Sequence, residues 1–583
     1  MGGMAEPFMT RRRATTIRVA NKKANIHHQS RSNVPKYIFV TGGVMSGLGK
    51  GITTSSIAKI LQRSSLTVTC MKVDPYINFD AGTMNPIAHG EVFVTDDGGE
   101  CDMDLGNYER FLNKDLSKED NITTGQVYAA VIGDERKGKY LGKCVQIIPH
   151  VTDEIKRRIR ERTTKSGSSV AVIECGGTVG DIESLPFLEA FRQMRLEDGL
   201  ENTLFVHVTL APEMGAVGEM KTKPTQHSVQ ELRRIGIQPD IIVVRGTRPL
   251  PMEAKEKLAL FTSVPVQSVV SNSDVDSIYQ VPEALYREGI LKPLIDHLRL
   301  KVKRTDLLDW NEVASRFVHQ RRSVTVAMVG KYVTLMDSYV SVNLALKHAA
   351  AANGVGVEIK WIESEDFEGV SRAEQARKVL DGADGVVLPQ GYGKRGTEGK
   401  IWTADYARRM RKPLLGLCFG FQLSIVSFAR NVLGLKDANS TELDLHTPDP
   451  VIDLLPEQKG ISNMGGTMRL GGHDISVQRP SAAFDIYQSK KVRGRHRHRF
   501  ELNQSYMQKL EDAGMHFSAF SDGGRRAEIL ELRDHPFYMG TQYHPEYCSR
   551  PEYPEPMFIA FLRAAMMAHE SKGKKLQVAA RSA

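Results

Sequence analysis

A short apolar run, Tyr37-Ile-Phe-Val40, breaks directly into Thr41-Gly-Gly-Val-Met-Ser-Gly-Leu-Gly-Lys50-Gly51, and a helical pattern follows from about Ile52 to Gln62. A buried strand that feeds a Gly-rich turn and then a helix commits this part of the chain to a parallel sheet with crossover helices. Strand-like runs recur at 67–73, 169–174, 203–209 and 240–245, with helical patterns between them. Near 296–323 the pattern loosens into charged residues, which reads as a linker. A second strand series then starts at 324–329 and continues through 357–362, 385–389 and 413–416. No internal repeat shows, and the two series open on different loop chemistry. The expectation is an α/β protein with two unlike doubly wound domains, at 37–300 and 324–570, joined by 301–323.

The length of 583 residues agrees with more than one core. No uncharged apolar run reaches about 18 residues, so no membrane-spanning helix is expected. The six Cys are scattered without a C-x-x-C pair, which excludes a disulfide framework and a zinc ribbon and suits a reducing, cytoplasmic setting. The net charge of +9 suggests nucleic acid until it is located. Residues 1–36 hold eight Lys or Arg and one acid, a net +7, so only +2 remains for the rest. The body is nearly balanced, and neither nucleic acid nor membrane is an expected partner. The segment 1–36 reads as a disordered basic tail, with an organellar transit peptide as the alternative, and 571–583 as a disordered C-terminal tail.

The turn at 41–51 has the makings of a phosphate cradle. Glycines let backbone N–H groups approach phosphate oxygens at a helix N-terminus, and Lys50 adds a point charge. The strict G-x-x-x-x-G-K-[ST] pattern is not met, since Val44 stands at the first Gly and Gly51 at the hydroxyl; Thr53 or Thr54 could stand in. Asp104 and Glu174, at strand ends facing the cradle, are the candidate Mg²⁺ ligands. Gly176–Glu183 suggests backbone close to a ligand, and Lys221-Thr222-Lys223-Pro224-Thr225-Gln226 is a compact set of phosphate-binding side chains.

A second site has other chemistry. Lys412–Leu417 is an apolar strand, Gly416-Leu-Cys418-Phe-Gly420 is a nucleophile elbow with Cys in place of Ser, and a helix-like stretch follows. The helix N-terminus favours a thiolate. Gln542-Tyr-His544-Pro-Glu546 offers a base and a carboxylate to orient it, so Cys418, His544 and Glu546 form a candidate thiol acyl-transfer triad.

These residues and the stretches around them resemble the CTP synthase family, whose second half is a class I glutamine amidotransferase. The matching stretches run from about 37 to 570 and include Lys72-Val-Asp-Pro-Tyr-Ile-Asn78, His89-Gly-Glu-Val-Phe-Val94, Asp104-Leu-Gly-Asn-Tyr-Glu-Arg110, Asn439-Ser-Thr-Glu442, Gly465–Gly471 and Arg495-His-Arg-His-Arg499. The resemblance implies an N-terminal P-loop-type synthetase domain and a C-terminal glutaminase domain. It implies ATP at Gly47, Leu48, Gly49, Lys50, Gly51, Ile52, Lys72 and Asp104, with Mg²⁺ on Asp104 and Glu174. UTP is expected at Ser46, Lys221 through Gln226 and Lys257, with the CTP product contacting Asp181, Ile182 and Glu183 when it inhibits. L-Glutamine is expected at Gly391, Phe419, Gly420, Phe421, Gln422, Glu442 and Arg499, and GTP as the activator of its hydrolysis. The family implies a homotetramer with nucleotide sites at subunit contacts, and filament assembly is compatible with activity.

The implied reaction is ATP-dependent amination of UTP to CTP through a 4-phosphorylated intermediate, with ammonia from glutamine. A glutamine-dependent amide synthetase acting on a carboxylate is the rival enzyme, and gives no reason for Lys221–Gln226. A scaffold with a disabled site is the non-enzymatic rival, against which the triad stands. Two departures are expected to matter: Gln390 stands where the family usually has Gly, which would strain a positive-φ backbone, and Phe419 and Phe421 are bulkier than the usual Leu and Met.

Overall fold

The alternation of apolar runs and amphipathic stretches produces two sheets in the computed structural model, which describes residues 34–582 apart from 86–88, 215–218, 319, 321, 334, 369 and 459–465. The expectation about the basic tail falls on residues outside those described, save 34–36. The first sheet has seven parallel strands: β1 (Lys36–Gly42), β2 (Val68–Asp74), β3 (Asn121–Thr123), β4 (Val170–Cys175), β5 (Thr203–Leu210), β6 (Ile241–Gly246) and β7 (Val269–Ser273). Their order is β7-β6-β5-β1-β4-β2-β3, all parallel. The central strands are almost wholly buried because helices cover both faces: Ile38, Phe39 and Val40 of β1 are fully buried. Helix α1 (Lys50–Arg63) leaves the end of β1, and α2 (Asp104–Leu112) packs beside it.

The register sets the first site. Lys72 on β2 lies opposite Glu174 on β4, and Val40 on β1 lies opposite the same Glu174. Three strand ends therefore meet where the Gly-rich turn begins, the crevice that open α/β sheets use for ligands.

The second sheet has nine strands: β8 (Ser323–Gly330), β9 (Gly356–Glu363), β10 (Gly385–Leu388), β11 (Leu414–Leu417), β12 (Arg469–Val477), β13 (Lys491–His498), β14 (His516–Ser521), β15 (Arg526–Glu531) and β16 (Tyr538–Thr541). Its order is β9-β8-β10-β11-β16-β15-β14-β12-β13. The pairs from β9 to β16 are parallel and the rest antiparallel. The four strands read from the sequence are thus four of the five parallel strands of a larger mixed sheet, β16 being the fifth. Both sheets belong to one compact unit, Pro35–Ala583.

Two connecting segments differ from expectation. The stretch 301–323 is not only a charged linker: it contains a helix, Leu308–Ser315, whose Trp310 is fully buried and donates its indole N–H to the Tyr279 carbonyl at 2.8 Å. Leu307, Trp310 and Ala314 recur at helical spacing and are all buried, so one aromatic anchors the segment despite its charge. At the C-terminus the last helix, Pro556–Ser582, runs on through the segment expected to be a disordered tail. Lys572 fastens it by donating to the carbonyls of Gly382 and Ala383 and pairing with Asp384.

Candidate functional site

The first site is a cavity of about 810 Å³ at the C-terminal ends of β1, β2 and β4. Gly47, Leu48, Gly49, Lys50, Gly51, Ile52, Lys72, Asp104 and Glu174 all line it, with Asp181 and Glu183 from the following loop. Gly47 and Gly49 have φ of 75° and 82°, values glycine adopts without strain. Gly51 explains the departure from the usual pattern, because a Cβ there would lie 2.1 Å from the Asp104 Oδ1. The site has exchanged a hydroxyl for close approach of a carboxylate. The stand-in threonines do not replace it: Thr53 and Thr54 are fully buried within α1 and do not line the cavity.

Charge is concentrated around Lys72. Its ammonium donates to Asp104 and, at 3.1 Å, to Glu174 Oε1, and lies 3.8 Å from Asp102. Burial works against its charge, but Asp102, Asp104, Glu174 and Asp74 outweigh burial and lift its pKa. Burial and Asp102 push Asp74 up to about 8, and burial also raises Glu174. Four carboxylates around one ammonium leave an acidic wall that a cation would relieve. Among the described residues no group of three or more His, Cys, Asp or Glu could hold a metal ion. The fit is to an ion that takes one or two carboxylates and completes its shell with phosphate and water, as Mg²⁺ does.

The nucleoside-binding expectations are only partly gathered here. Ser46, Ile182 and Lys257 are exposed and do not line the cavity, and none of 221–226 lines it. Thr222, Thr225 and Gln226 are buried at the start of helix α3 (Lys223–Arg234) and bonded within the fold, Thr225 to the Leu210 carbonyl and Gln226 to Thr222.

The second site is the elbow between β11 and helix α4 (Phe419–Asn431). Cys418 has φ 50° and ψ −96°, a strained backbone for a residue with a side chain. The flanking glycines are required: a Cβ on Gly420 would lie 2.0 Å from the Leu388 carbonyl oxygen, and one on Gly416 would meet Gly420 at 2.9 Å. Register brings the partners, since Leu417 pairs with Thr541 and the Cys418 N–H donates to the Thr541 carbonyl at 2.7 Å. His544 Nδ1 lies 2.8 Å from Glu546 Oε1, and its ring stacks on Tyr547. Burial opposes its charge, but Glu546 and Cys418 outweigh burial and push its pKa up to about 10. The arrangement suits an imidazolium poised to hand a proton to a leaving group.

Beside Cys418 is a cavity of about 450 Å³ lined by Gly391, Phe419, Gln422, Glu442 and Arg499. Gly420 and Phe421 are not in its wall: Gly420 packs on β10, and Phe421 is buried in the core. Phe421's bulk is thereby spent on packing. Gln390 does not have positive φ, so the expected strain does not arise. Its loop is fixed by two buried lysines, Lys400 donating to the Pro389 carbonyl at 2.7 Å and Lys331 to that of Tyr392 at 2.9 Å. Burial lowers both, Lys331 to about 8.

Sequence reasoning missed what closes this cavity. Gly82, Thr83 and Met84, from the half that holds the phosphate cradle, form part of its wall. It also missed the role of β13, where alternate arginines cross to that half: Arg493 to Asp96, Arg495 to Glu109 and Asp115, Arg497 to Glu100. The signal was the period-2 alternation of Arg and His, which places two residue types on two faces of a strand.

Comparison with known proteins agrees with both halves. A family profile described as CTP synthase N-terminus matches residues 36–300, and one described as glutamine amidotransferase class-I matches 334–564. A curated CTP synthase of Pyrococcus furiosus is 54% identical over 531 residues, covering 91% of this chain and 98% of its own length. The chain belongs to the CTP synthase family. Those of Aeropyrum pernix and Archaeoglobus fulgidus are 52% and 53% identical over the same shares. A solved structure described as Trypanosoma brucei CTPS, glutaminase domain with bound acivicin, is similar at 36% identity over 42% of this chain and 94% of its own, with a TM-score of 0.39. Family membership excludes the carboxylate-amidating rival. Among the described residues no helix is long and apolar enough to cross a membrane.

Proposed function

We propose that the chain makes CTP in two chambers, releasing ammonia beside Cys418 and using it at the nucleotide cavity. As a member of its family it is a glutamine-hydrolysing C–N ligase with ATP and UTP as substrates. In the first chamber the Gly-rich turn and Lys50 hold the ATP phosphates while the γ-phosphoryl group passes to the uracil 4-oxygen, making a leaving group of a poor one. Asp104 and Glu174 would hold Mg²⁺, which offsets phosphoryl charge when bound. In the second chamber the Cys418 thiolate attacks the glutamine carboxamide and forms a thioester. His544 gives its proton to the departing ammonia, Glu546 keeps the imidazole oriented, and water then releases glutamate. Gly391 and Phe419, in the wall beside Cys418, are assigned as the backbone N–H donors to the developing oxyanion, and Glu442 and Arg499 as the residues that receive the amino-acid end. Ammonia displaces phosphate at C4.

Ser46, Lys221–Gln226 and Lys257 stand outside the cavity of their own chain, which supports a UTP site completed by another copy in a homotetramer. Asp181, Ile182 and Glu183 receive CTP as inhibitor, GTP activates the glutaminase, and the setting is cytoplasmic. The domain limits follow as 37–300 for the synthetase and 324–570 for the glutaminase. The observation that carries the reading is a strained Cys elbow with its His–Glu pair, in a cavity walled partly by the phosphate-binding half. Incubation with UTP, ATP, Mg²⁺ and glutamine labelled with ¹⁵N at the amide tests it. CTP carrying the label at its 4-amino nitrogen is expected, and labelled ammonia without CTP would contradict it.

A further inference from the structure

The loop under the glutamine cavity is tied to the other half of the molecule at one side chain. Gln390 Nε2 donates to Glu91 Oε1 at 3.2 Å, and the other Glu91 oxygen accepts from the Ser341 N–H at 3.0 Å. Glu91 is buried at 5% exposure. The Gln390 Oε1 is enclosed and has no hydrogen-bond partner, which is costly for an amide unless a passing donor uses it.

The location of this pair gives the unused acceptor a purpose. His89 lines the nucleotide cavity, and the Glu91 N–H donates to the carbonyl of Asp337, which lines it too. The Val92 carbonyl accepts from the Tyr547 hydroxyl at 3.0 Å, and Tyr547 stacks on His544 with ring centroids 4.9 Å apart. Residues 89–92 thus run from one chamber to the triad of the other, and Glu91 lies between. Gln390 stands directly before Gly391 of the glutamine cavity.

We propose that Gln390, bonded to Glu91, is a positioning residue that seals the seam between the two chambers and offers its free amide oxygen to ammonia crossing it. The proposal rests on the assignment of Cys418 as the glutaminase nucleophile. Ammonia carries three N–H donors, and an enclosed acceptor at the seam holds it on course while the Gln390–Glu91 bond denies bulk water the same opening. A glycine at 390 would leave this chain without either element.

The test uses the full-length protein and its Gln390→Leu and Gln390→Gly variants. Each receives UTP, ATP, Mg²⁺ and ¹⁵N-amide glutamine in a bath of unlabelled ammonium chloride. The parent is expected to make CTP that keeps the ¹⁵N label. The variants are expected to hydrolyse glutamine and to use added ammonia near the parental rate, yet to lose label from CTP several-fold, the scale of one ordinary hydrogen bond lost. Glu91→Gln added to Gln390→Leu should cause little further loss, since both act on one contact. Full retention of label in both Gln390 variants overturns the proposal. Loss of ammonia-dependent synthesis and thermal midpoint in step with the label also overturns it, because that is the behaviour of a packing residue. Failure of the Cys418 assignment reads differently: the parent itself would put no ¹⁵N into CTP.

Discussion

His207 shows how much of the nucleotide site is held by groups that never touch a nucleotide. Its ring joins Thr41 Oγ1 at 2.9 Å to Ser228 Oγ at 2.7 Å, connecting the end of β1 to helix α3. Burial, then the charge of Lys50, pushes its pKa down to about 3. The folded value lies below the unfolded value near 6.5, so the neutral ring's contribution is fully present above about pH 6.5 and is lost as pH falls toward 3. By pH 5 that loss is about 2 kcal/mol. Denaturant midpoints at pH 7 and pH 5 should separate the parent from His207→Asn, which removes this acid sensitivity; equal slopes would contradict it. Lys50 has the opposite character, facing the cavity with its ammonium 2.9 Å from the Gly177 carbonyl. Lys50→Ala should remove CTP formation from both glutamine and ammonia by several kcal/mol of transition-state stabilisation, on the order of a lost phosphate clamp or oxyanion donor. Steady-state rates with each nitrogen source check it, and a near-normal ammonia rate would refute it. Cys418 was legible because glycines on both sides of a cysteine have a steric meaning. Gln390 was not, because strain depends on a φ angle that residue type alone does not set.

At the scale of elements, β13 joins the two halves. Arg495 and Glu109 are both buried, and the Arg495 guanidinium also reaches the Val94 carbonyl at 3.0 Å. Burial opposes its charge, and Glu109, Cys548 and Asp115 together outweigh burial. Arg495→Met would leave Glu109 with Arg550 at 3.1 Å and the Leu116 N–H at 2.9 Å, and should cost about 3 kcal/mol because the buried carboxylate then lacks its closest cation. Glu109→Gln in the same chain should recover part of that cost by removing the stranded charge. Thermal or denaturant unfolding of the single and double variants checks this, and additive losses would contradict the pairing. The parallel strands around the nucleotide cavity were readable because each is a short apolar run; β16 beside the elbow was not read, and the helix at Leu308–Ser315 was missed because the charges around it hid the helical spacing of Leu307, Trp310 and Ala314. The antiparallel strands β12 to β15 were not read. Their runs alternate polar and apolar residues, as in Arg469–Val477, and do not announce themselves as buried strands.

At the scale of the molecule, two chemistries are divided between two sheets and joined by contacts no motif reveals. The glutamine cavity takes part of its wall from residues 82–84, and the loop beside it is fastened to Glu91. Such contacts lie hundreds of positions apart in the chain, so local patterns could predict each site but not their joining. The division makes a separable prediction. Cys418, the nucleophile proposed for one chamber, lines that cavity and not the other, so Cys418→Ala should abolish CTP formation from glutamine while leaving synthesis from added ammonium chloride near the parental rate. The decisive measurement is CTP formed by this variant from UTP, ATP and Mg²⁺ with each nitrogen source in turn. Loss with glutamine alone is the predicted result; equal loss with both, or retained activity with glutamine, would contradict the two-chamber account.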